Sequence, residues 1–295
     1  MNLAHLHLLL NHFPTVGLGI ALGLLVAAMV QKSEDIKQVS FVAFFLLGLA
    51  AIPAYLTGSA AQVVLEGDPG VSQEVIAAHQ DAALLALILM EVMALTAWAA
   101  LWRFQRWHPA AILVLAIVTF GLMASAANIG GHIRHPEILA EGIPAPAPSW
   151  PRTAAAGAAL VLDNPWVWPI LEVLHFVGLC LLFGIILLVN LRLLGVVTGV
   201  AFADVNRLLP WAIAGLALNI VTGMLFFLAS PAQYTQNPAF VWKIGVMLVA
   251  GAALLYPTMW GDRAPRTGRI VAAGSICLWI GVIFLGRYLP YLGSE

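Results

Sequence analysis

Residues 108–129 read HPAAILVLAIVTFGLMASAANI and contain no Asp, Glu, Lys or Arg. A helix needs about 20 consecutive apolar residues to cross the hydrocarbon core of a bilayer. This stretch is therefore long enough and apolar enough to span a membrane. A helix is the expected form because lipid offers no hydrogen-bond partner to an open backbone.

The composition of the whole chain extends this prediction to a polytopic membrane protein. Of the 295 residues, 62% are apolar and 9% are charged, whereas a soluble domain has about 25% charged residues. This composition excludes a water-soluble enzyme. We predict an all-α integral membrane fold with eight transmembrane helices in contact with the lipid bilayer. The predicted spans are 8–31, 39–64, 77–102, 108–129, 166–190, 208–229, 239–259 and 269–290.

The net charge and the cysteine content exclude several function classes. The formal net charge is −1, so the chain has no basic face for nucleic acid. The two cysteines, Cys180 and Cys277, both lie inside apolar runs. Their placement excludes a disulfide framework, a cysteine-rich zinc or iron–sulfur site, and covalent haem attachment through Cys-x-x-Cys-His.

The distribution of Lys and Arg between the loops predicts how the spans are oriented. Cytoplasmic loops of membrane proteins are enriched in these residues. The odd-numbered loops hold nine of the 13 basic residues, namely Lys32, Lys37, Arg103, Arg106, Arg192, Arg207, Arg263, Arg266 and Arg269. The opposite side holds Arg134, Arg152 and Arg287, with Lys243 just inside a span. We therefore predict a multi-pass protein of a bacterial inner membrane with both termini in the periplasm.

A segment rich in Gly, Ala and Pro separates two halves of the chain. It covers residues 130–165 and contains the sequence IPAPAP at 143–148. Such a composition favours an extended periplasmic linker or a lid over a packed core. The predicted organisation is a four-helix bundle over 1–129, this linker, and a second four-helix bundle over 166–295.

The two halves contain a weak internal repeat. His12 in the first span is followed 45 positions later by Thr57-Gly58, and His175 in the fifth span is followed 47 positions later by Thr222-Gly223. The correspondence continues at the start of the third and seventh spans with His79 and Lys243. Because each half crosses the membrane an even number of times, the two would be parallel repeats.

Histidines concentrate on one predicted face of the membrane. Seven of the eight lie outside or in the outer half of the bilayer, and only His108 lies on the cytoplasmic side. We expect His5, His7 and His135 to be interfacial, bonded to water or to a backbone carbonyl. Ionisable residues inside a membrane are rare and favour a functional role. The ligand candidates on the spans are His12, His79, His132 and His175.

These four histidines predict non-covalently bound haem. Helical bundles hold haem between inward-facing side chains, and two imidazoles, or one imidazole and a methionine, ligate a b-type haem. His12, His79 and His132 lie at comparable depth in the first half, and their spacing leaves open which two bind the iron. In the second half only His175 is available, so a haem there would have another sixth ligand or none. The prediction is one or two b haems.

Further polar side chains fit around such a cofactor. Arg134 and Lys243 are predicted to bind it through its propionates, with Arg152 and Arg287 as further outward cations. Glu91 lies near the centre of the third span. A carboxylate at that depth is costly, so Glu91 is either protonated or hydrogen-bonded, and it is a candidate for proton or quinone chemistry.

The second half resembles a superfamily of small four-helix membrane proteins. The positions that carry the resemblance are Leu174-His175-Phe176-Val177-Gly178, Asn190-Leu191-Arg192, Arg207-Leu208-Leu209-Pro210, Thr222-Gly223 and Trp242-Lys243-Ile244. The superfamily includes the HemJ-type protoporphyrinogen oxidases and the CopD-like copper-resistance domains. In the HemJ-type proteins the histidine of the early helix is associated with a b haem, which the resemblance implies for His175.

The first half is similar to an uncharacterised bacterial membrane domain. The resemblance rests on Asn11-His12-Phe13-Pro14, Leu56-Thr57-Gly58 and Ala78-His79. Relatives of that domain are sometimes fused to Rieske-type iron–sulfur domains. The resemblance therefore implies a redox function, but it does not indicate which reaction is involved.

Together these observations favour a membrane-embedded b-type haem protein that carries electrons at the periplasmic face. Its partners would be a periplasmic cytochrome c or another redox protein, or membrane quinone. Whether the chain itself catalyses a reaction, as an oxidoreductase subunit, stays open. Two alternatives also stay open: a copper-like metal permease that uses the outward histidine cluster, and an anchor subunit without a cofactor.

Overall fold

The computed structural model describes residues 3–66, 71–134, 152–261, 263 and 265–292. Within these ranges the chain is helical and contains no strand. The helices are α1 (Leu3–Leu10), α2 (His12–Gln31), α3 (Glu34–Leu65), α4 (Gln73–Trp102), α5 (His108–Arg134), α6 (Thr153–Leu162), α7 (Val167–Leu194), α8 (Phe202–Asn206), α9 (Leu209–Ala229), α10 (Pro231–Thr235), α11 (Pro238–Ala253), α12 (Leu255–Met259) and α13 (Pro265–Leu292).

Eight helical segments are long and apolar enough to cross a membrane, which confirms the predicted all-α membrane fold. They are Leu3–Gln31, Glu34–Leu65, Gln73–Trp102, His108–Ile133, Val167–Leu194, Phe202–Ala229, Pro238–Met259 and Arg266–Leu289. Many large apolar side chains on these segments are exposed, among them Phe13, Ile20 and Phe284. Such a surface is suited to lipid, so the chain is a multi-pass membrane protein.

The first span differs from the single helix predicted over 8–31. It begins earlier, at Leu3, and the helix is interrupted at Asn11 between α1 and α2. Pro14 accounts for the interruption. It has no N–H to donate to the carbonyl of Leu10, and its ring clashes with that carbonyl, as proline does with the residue four positions earlier in a helix.

Parts of the segment 130–165, which its composition predicts to be an extended linker or a lid, are helical. Residues 130–134 continue α5, and Thr153–Leu162 forms α6. The first turn of α6 is buried at Ala154, whose backbone N–H donates to Asp81 Oδ1 at 2.8 Å. An acidic acceptor at a helix start satisfies a free N–H and complements the helix dipole. The remainder of the segment, 135–151, lies outside the described residues.

The chain divides into two compact units. The first comprises Met1–Ala97 with Arg106–Ala158, and the second comprises Trp98–Gln105 with Ala159–Glu295. In the first unit, α1 and α2 pack against α3, and α2 also packs against α5. In the second unit, α7 packs against α9 and α13, and α11 packs against α13. The units correspond broadly to the two predicted bundles, but the boundary falls inside α6.

Candidate functional site

The first unit encloses a cavity of about 650 Å³ at the end where α1 and α4 begin and α3 and α5 finish. This volume lies within the range of about 300–1,000 Å³ that is typical of small-molecule and cofactor sites. Much of the wall consists of small side chains, including Ala51, Ala54, Ala83, Ala86, Ala126, Gly58 and Gly130. Small residues leave a smooth surface on which a flat group could lie.

His7 of α1 lines this cavity and is held by the neighbouring helix. Its Nδ1 atom lies 2.9 Å from the carbonyl oxygen of Ala54 on α3, and Thr57 Oγ1 lies 3.4 Å from the same nitrogen. Gly58 gives the ring its space, because a Cβ atom at that position would lie 3.2 Å from His7 Cε1. The ring is therefore fixed by one hydrogen bond and by the absence of a side chain on the facing turn.

His79 of α4 lines the same cavity and is held in the same manner. Its Nδ1 atom lies 2.8 Å from the carbonyl oxygen of Ala126 on α5. A Cβ atom added at Gly130 would lie 3.0 Å from His79 Cε1. Two helix pairs, α1 with α3 and α4 with α5, thus each present one anchored imidazole to a common space.

The anchoring decides which nitrogen of each ring is available to a ligand. A carbonyl oxygen only accepts hydrogen bonds, so Nδ1 of His7 and of His79 carries the proton. In a neutral imidazole the lone pair is then on Nε2. A metal-ligating histidine usually has this arrangement, in which the second ring nitrogen donates to a carbonyl or carboxylate and fixes the ring.

The structure places the predicted ligands of the first half differently. His79 lines the cavity as described, whereas His12 lines it with an exposed side chain. His132 is half-buried and is not among the residues that line the cavity. The predictions for His135 and for the Arg134 side chain lie outside the described residues.

Sequence reasoning assigned His7 only an interfacial role. The hydrogen bond to the Ala54 carbonyl agrees with that expectation, but the ring also lines the cavity together with His79. The helical backbone is nearly continuous here, because Asn11 has helical backbone angles and its N–H donates to the His7 carbonyl at 2.9 Å. The contact between His7 and α3 depends on packing between spans, which the sequence alone does not show.

The second unit repeats part of this arrangement. His175 Nδ1 lies 2.7 Å from Thr222 Oγ1, and that hydroxyl itself donates to the Leu218 carbonyl at 2.7 Å. The hydroxyl therefore accepts a hydrogen bond from His175. A Cβ added at Gly223 would lie 3.7 Å from His175 Cε1. His175 against Thr222-Gly223 corresponds to His7 against Thr57-Gly58. The repeat in the sequence matched His175 with His12, whereas the histidine that lies beside Thr57-Gly58 is His7.

The correspondence extends to the third and fourth spans of each unit. In the first unit His79 faces Gly130, and in the second unit the ammonium group of Lys243 lies 3.2 Å from the position of a Cβ on Gly286. The second unit therefore has one imidazole and one ammonium group where the first has two imidazoles. Arg152 and Arg287 are exposed.

Glu172 lies one turn before His175 but bonds elsewhere. Its Oε1 atom accepts a hydrogen bond from Trp168 Nε1 at 3.2 Å. Burial, with the nearby Glu172 carboxylate as a second cause, raises the pKa of Tyr234 to about 12. The Tyr234 hydroxyl is therefore neutral at physiological pH and adds no charge to this end of the unit.

Comparison with known proteins returns no relative. The chain matches no family model, no curated protein and no solved structure.

Proposed function

We propose that the first unit binds a b-type haem between His7 and His79 and that the protein transfers electrons. The observation that carries the proposal is the pair of imidazoles on one cavity, each anchored at Nδ1 by a backbone carbonyl. This pair revises the ligand set suggested by the sequence, in which two of His12, His79 and His132 bind the iron.

The donor set favours a haem over a bare metal ion. In the part of the chain that the structure describes, no group of three or more His, Cys, Asp or Glu side chains could hold a metal ion. A structural zinc site takes four protein ligands and a catalytic one takes three. Two imidazoles suffice for a haem, because the porphyrin supplies four nitrogens and the protein adds only axial ligands.

The chain's own residues would set the properties of the bound group. A b haem supplies a one-electron couple at its iron when it is bound. The carbonyls of Ala54 and Ala126 fix the orientation of the two rings and increase their basicity through the Nδ1–H bonds. Much of the cavity wall is alanine and glycine and is low in polarity. Low polarity around a bound haem influences its reduction potential.

The orientation of the molecule suggests where electrons are exchanged. The cavity lies near the beginning of α1, and the Lys/Arg distribution favours a periplasmic location for that end, in a bacterial inner membrane. We propose exchange with a periplasmic cytochrome c, another redox protein, or quinone from the surrounding lipid. A haem in the second unit would have His175 and a sixth ligand other than histidine, or none.

Visible spectroscopy of the purified full chain tests the proposal. We expect a Soret band, a sharp α band after reduction, and one b haem per first unit by pyridine haemochrome. His7→Ala and His79→Ala should lose the spectrum, and His132→Ala should retain it. His79→Gln is a second test variant, because its amide can still donate to Ala126 while offering no nitrogen lone pair to iron.

Two outcomes would overturn the proposal in different ways. Full haem content in His7→Ala and His79→Ala, measured per folded chain, would remove these residues as ligands. A wild-type protein without a Soret band would favour the alternatives. Bound copper or another soft cation would then indicate the permease, and neither metal nor haem would indicate the anchor subunit.

A further inference from the structure

Glu91 is a buried carboxyl group on α4 that no step proposed so far uses. It is only 7% exposed, and it follows Met90, which lines the cavity, although Glu91 itself does not. Oε1 is buried and has no hydrogen-bond partner among the described residues. A buried acceptor without a partner costs free energy, so its presence calls for a functional explanation.

The local packing isolates this carboxyl from other polar groups. Glu91 Oε2 lies 3.6 Å from the position that a Cβ of Gly48 would occupy, and Ala94 closes the same crossing between α3 and α4. An ionised carboxylate in such surroundings is strongly disfavoured unless a positive charge is near. Without a ligand in the cavity, Glu91 is therefore neutral and holds a proton.

Among the described residues, no ionisable side chain forms a hydrogen bond with Glu91 Oε1. His7, His79, Tyr55 and Asp81 lie toward the cavity end, and His108 lies at the opposite end of the bundle. Along α4, His79 is separated from Glu91 by 12 residues, which corresponds to about 18 Å of rise. A charge held at His79 therefore acts on Glu91 over that distance, through an interior of low dielectric constant that screens it less than water does.

We propose that Glu91 binds and releases a proton in step with reduction and oxidation in the cavity. This inference rests on the proposed haem function. While the cavity holds a net positive charge, the attraction of that charge favours the Glu91 carboxylate. When one electron arrives and neutralises the charge, one proton from solvent binds the carboxylate and gives the carboxylic acid. Oxidation removes the electron and returns the proton.

Redox titrations at a series of pH values, with infrared spectroscopy of the same samples, test the inference. In the wild type we expect the midpoint potential to fall as pH rises, and reduction to increase the protonated-carboxyl C=O stretch. Glu91→Gln should lose most of the pH-dependent shift and the redox-linked C=O band. Glu74→Gln is the matched control, because Glu74 is an exposed residue of the same helix and should behave as wild type.

The glutamine variant keeps the shape of the neutral acid, so its haem content should equal that of the wild type. A Glu91→Gln protein with full haem and an unchanged pH dependence would overturn the inference while the haem function stands. A redox-linked C=O band that survives in Glu91→Gln would do the same. Absence of a Soret band from the wild type would instead remove the haem function, and this inference with it.

Discussion

The Nδ1 atom of His79 lies 2.8 Å from the carbonyl oxygen of Ala126, so a main-chain atom of α5 orients a side chain of α4. His7 has the same relationship with Ala54 at 2.9 Å. In both cases a glycine on the helix that supplies the carbonyl makes room for the ring. The geometry of the proposed haem site therefore depends on close helix approach, which small substitutions can disturb.

Adding a single methyl group beside His79 should weaken cofactor binding. In Gly130→Ala the new Cβ would lie 3.0 Å from His79 Cε1, so the ring must shift by a few tenths of an ångström. Disturbing the groups that orient a metal ligand costs roughly tenfold to a hundredfold in affinity. We expect reduced haem content and a shifted Soret band. Gly121→Ala, on the same helix, is the control, since nothing lies within 4 Å of its added Cβ and it does not line the cavity; equal loss in both variants would contradict the prediction.

Removal of the second-unit histidine should leave the first-unit spectrum intact. His175 bonds to Thr222 and belongs to the other compact unit. We therefore expect His175→Ala to keep the spectral component that His7→Ala and His79→Ala lose, and to lose either a second component or none. The measurement is a reduced-minus-oxidised spectrum per folded chain. Loss of the whole spectrum in His175→Ala would show that the haem does not bind in the first unit.

The second unit should be destabilised by a methyl group at the crossing of α7 and α9. A Cβ on Gly215 would lie 2.7 Å from the Gly178 carbonyl oxygen and 2.8 Å from the Leu182 nitrogen. Because both neighbours are backbone atoms, the helices must move apart, and overpacking of this kind costs about 1–3 kcal/mol. We expect Gly215→Ala to lower Tm, whereas Gly184→Ala, whose Cβ meets nothing within 4 Å, should not. Equal Tm values would show that the crossing can relax without cost.

Asp81 should hold the first turn of α6 in place. Its Oδ1 accepts the backbone N–H of Ala154 at 2.8 Å in a buried position. Leaving that N–H unpaired costs about 1–3 kcal/mol locally. We expect Asp81→Ala to increase hydrogen exchange over residues 153–157, with Asp81→Asn, which retains an acceptor oxygen, close to wild type. Unchanged exchange in Asp81→Ala would mean that other contacts alone hold α6.

The predicted orientation can be tested by reporter fusions. The Lys/Arg distribution predicts that the connection between α4 and α5 is cytoplasmic and that the C terminus is periplasmic. A reporter that is active only in the cytoplasm should work when inserted at 103–107 and should be silent when fused after the last residue. The reverse pattern would move the proposed electron exchange to the cytoplasmic face.

The sequence predicted the features that depend on local pattern. The eight spans follow from apolar runs, and this prediction is confirmed because hydropathy is a property of short segments. The sequence also singled out His79, as an ionisable residue at a span start, and His175. The structure places His79 on the cavity and His175 against Thr222, while their roles as ligands stay predictions.

Other features depend on contacts between distant segments. The contact of His7 with Ala54 joins α1 to α3, so it depends on the packing of two spans. The helix α6 forms within an Ala-rich part of the predicted linker, where Asp81 from α4 accepts a hydrogen bond from its first turn. The cavity is lined by residues of α1 to α5 together, so no single stretch of sequence contains it.

The use of main-chain acceptors has a consequence for how the site would tolerate sequence drift. Substitution of Ala54 or Ala126 changes a wall of the cavity but cannot delete the carbonyl oxygen that orients the facing imidazole. Gly58 and Gly130 cannot be substituted in the same way, because a side chain at either position would contact the imidazole of His7 or of His79. Homologous chains with the same site should therefore vary at the two alanines while retaining both histidines and both glycines.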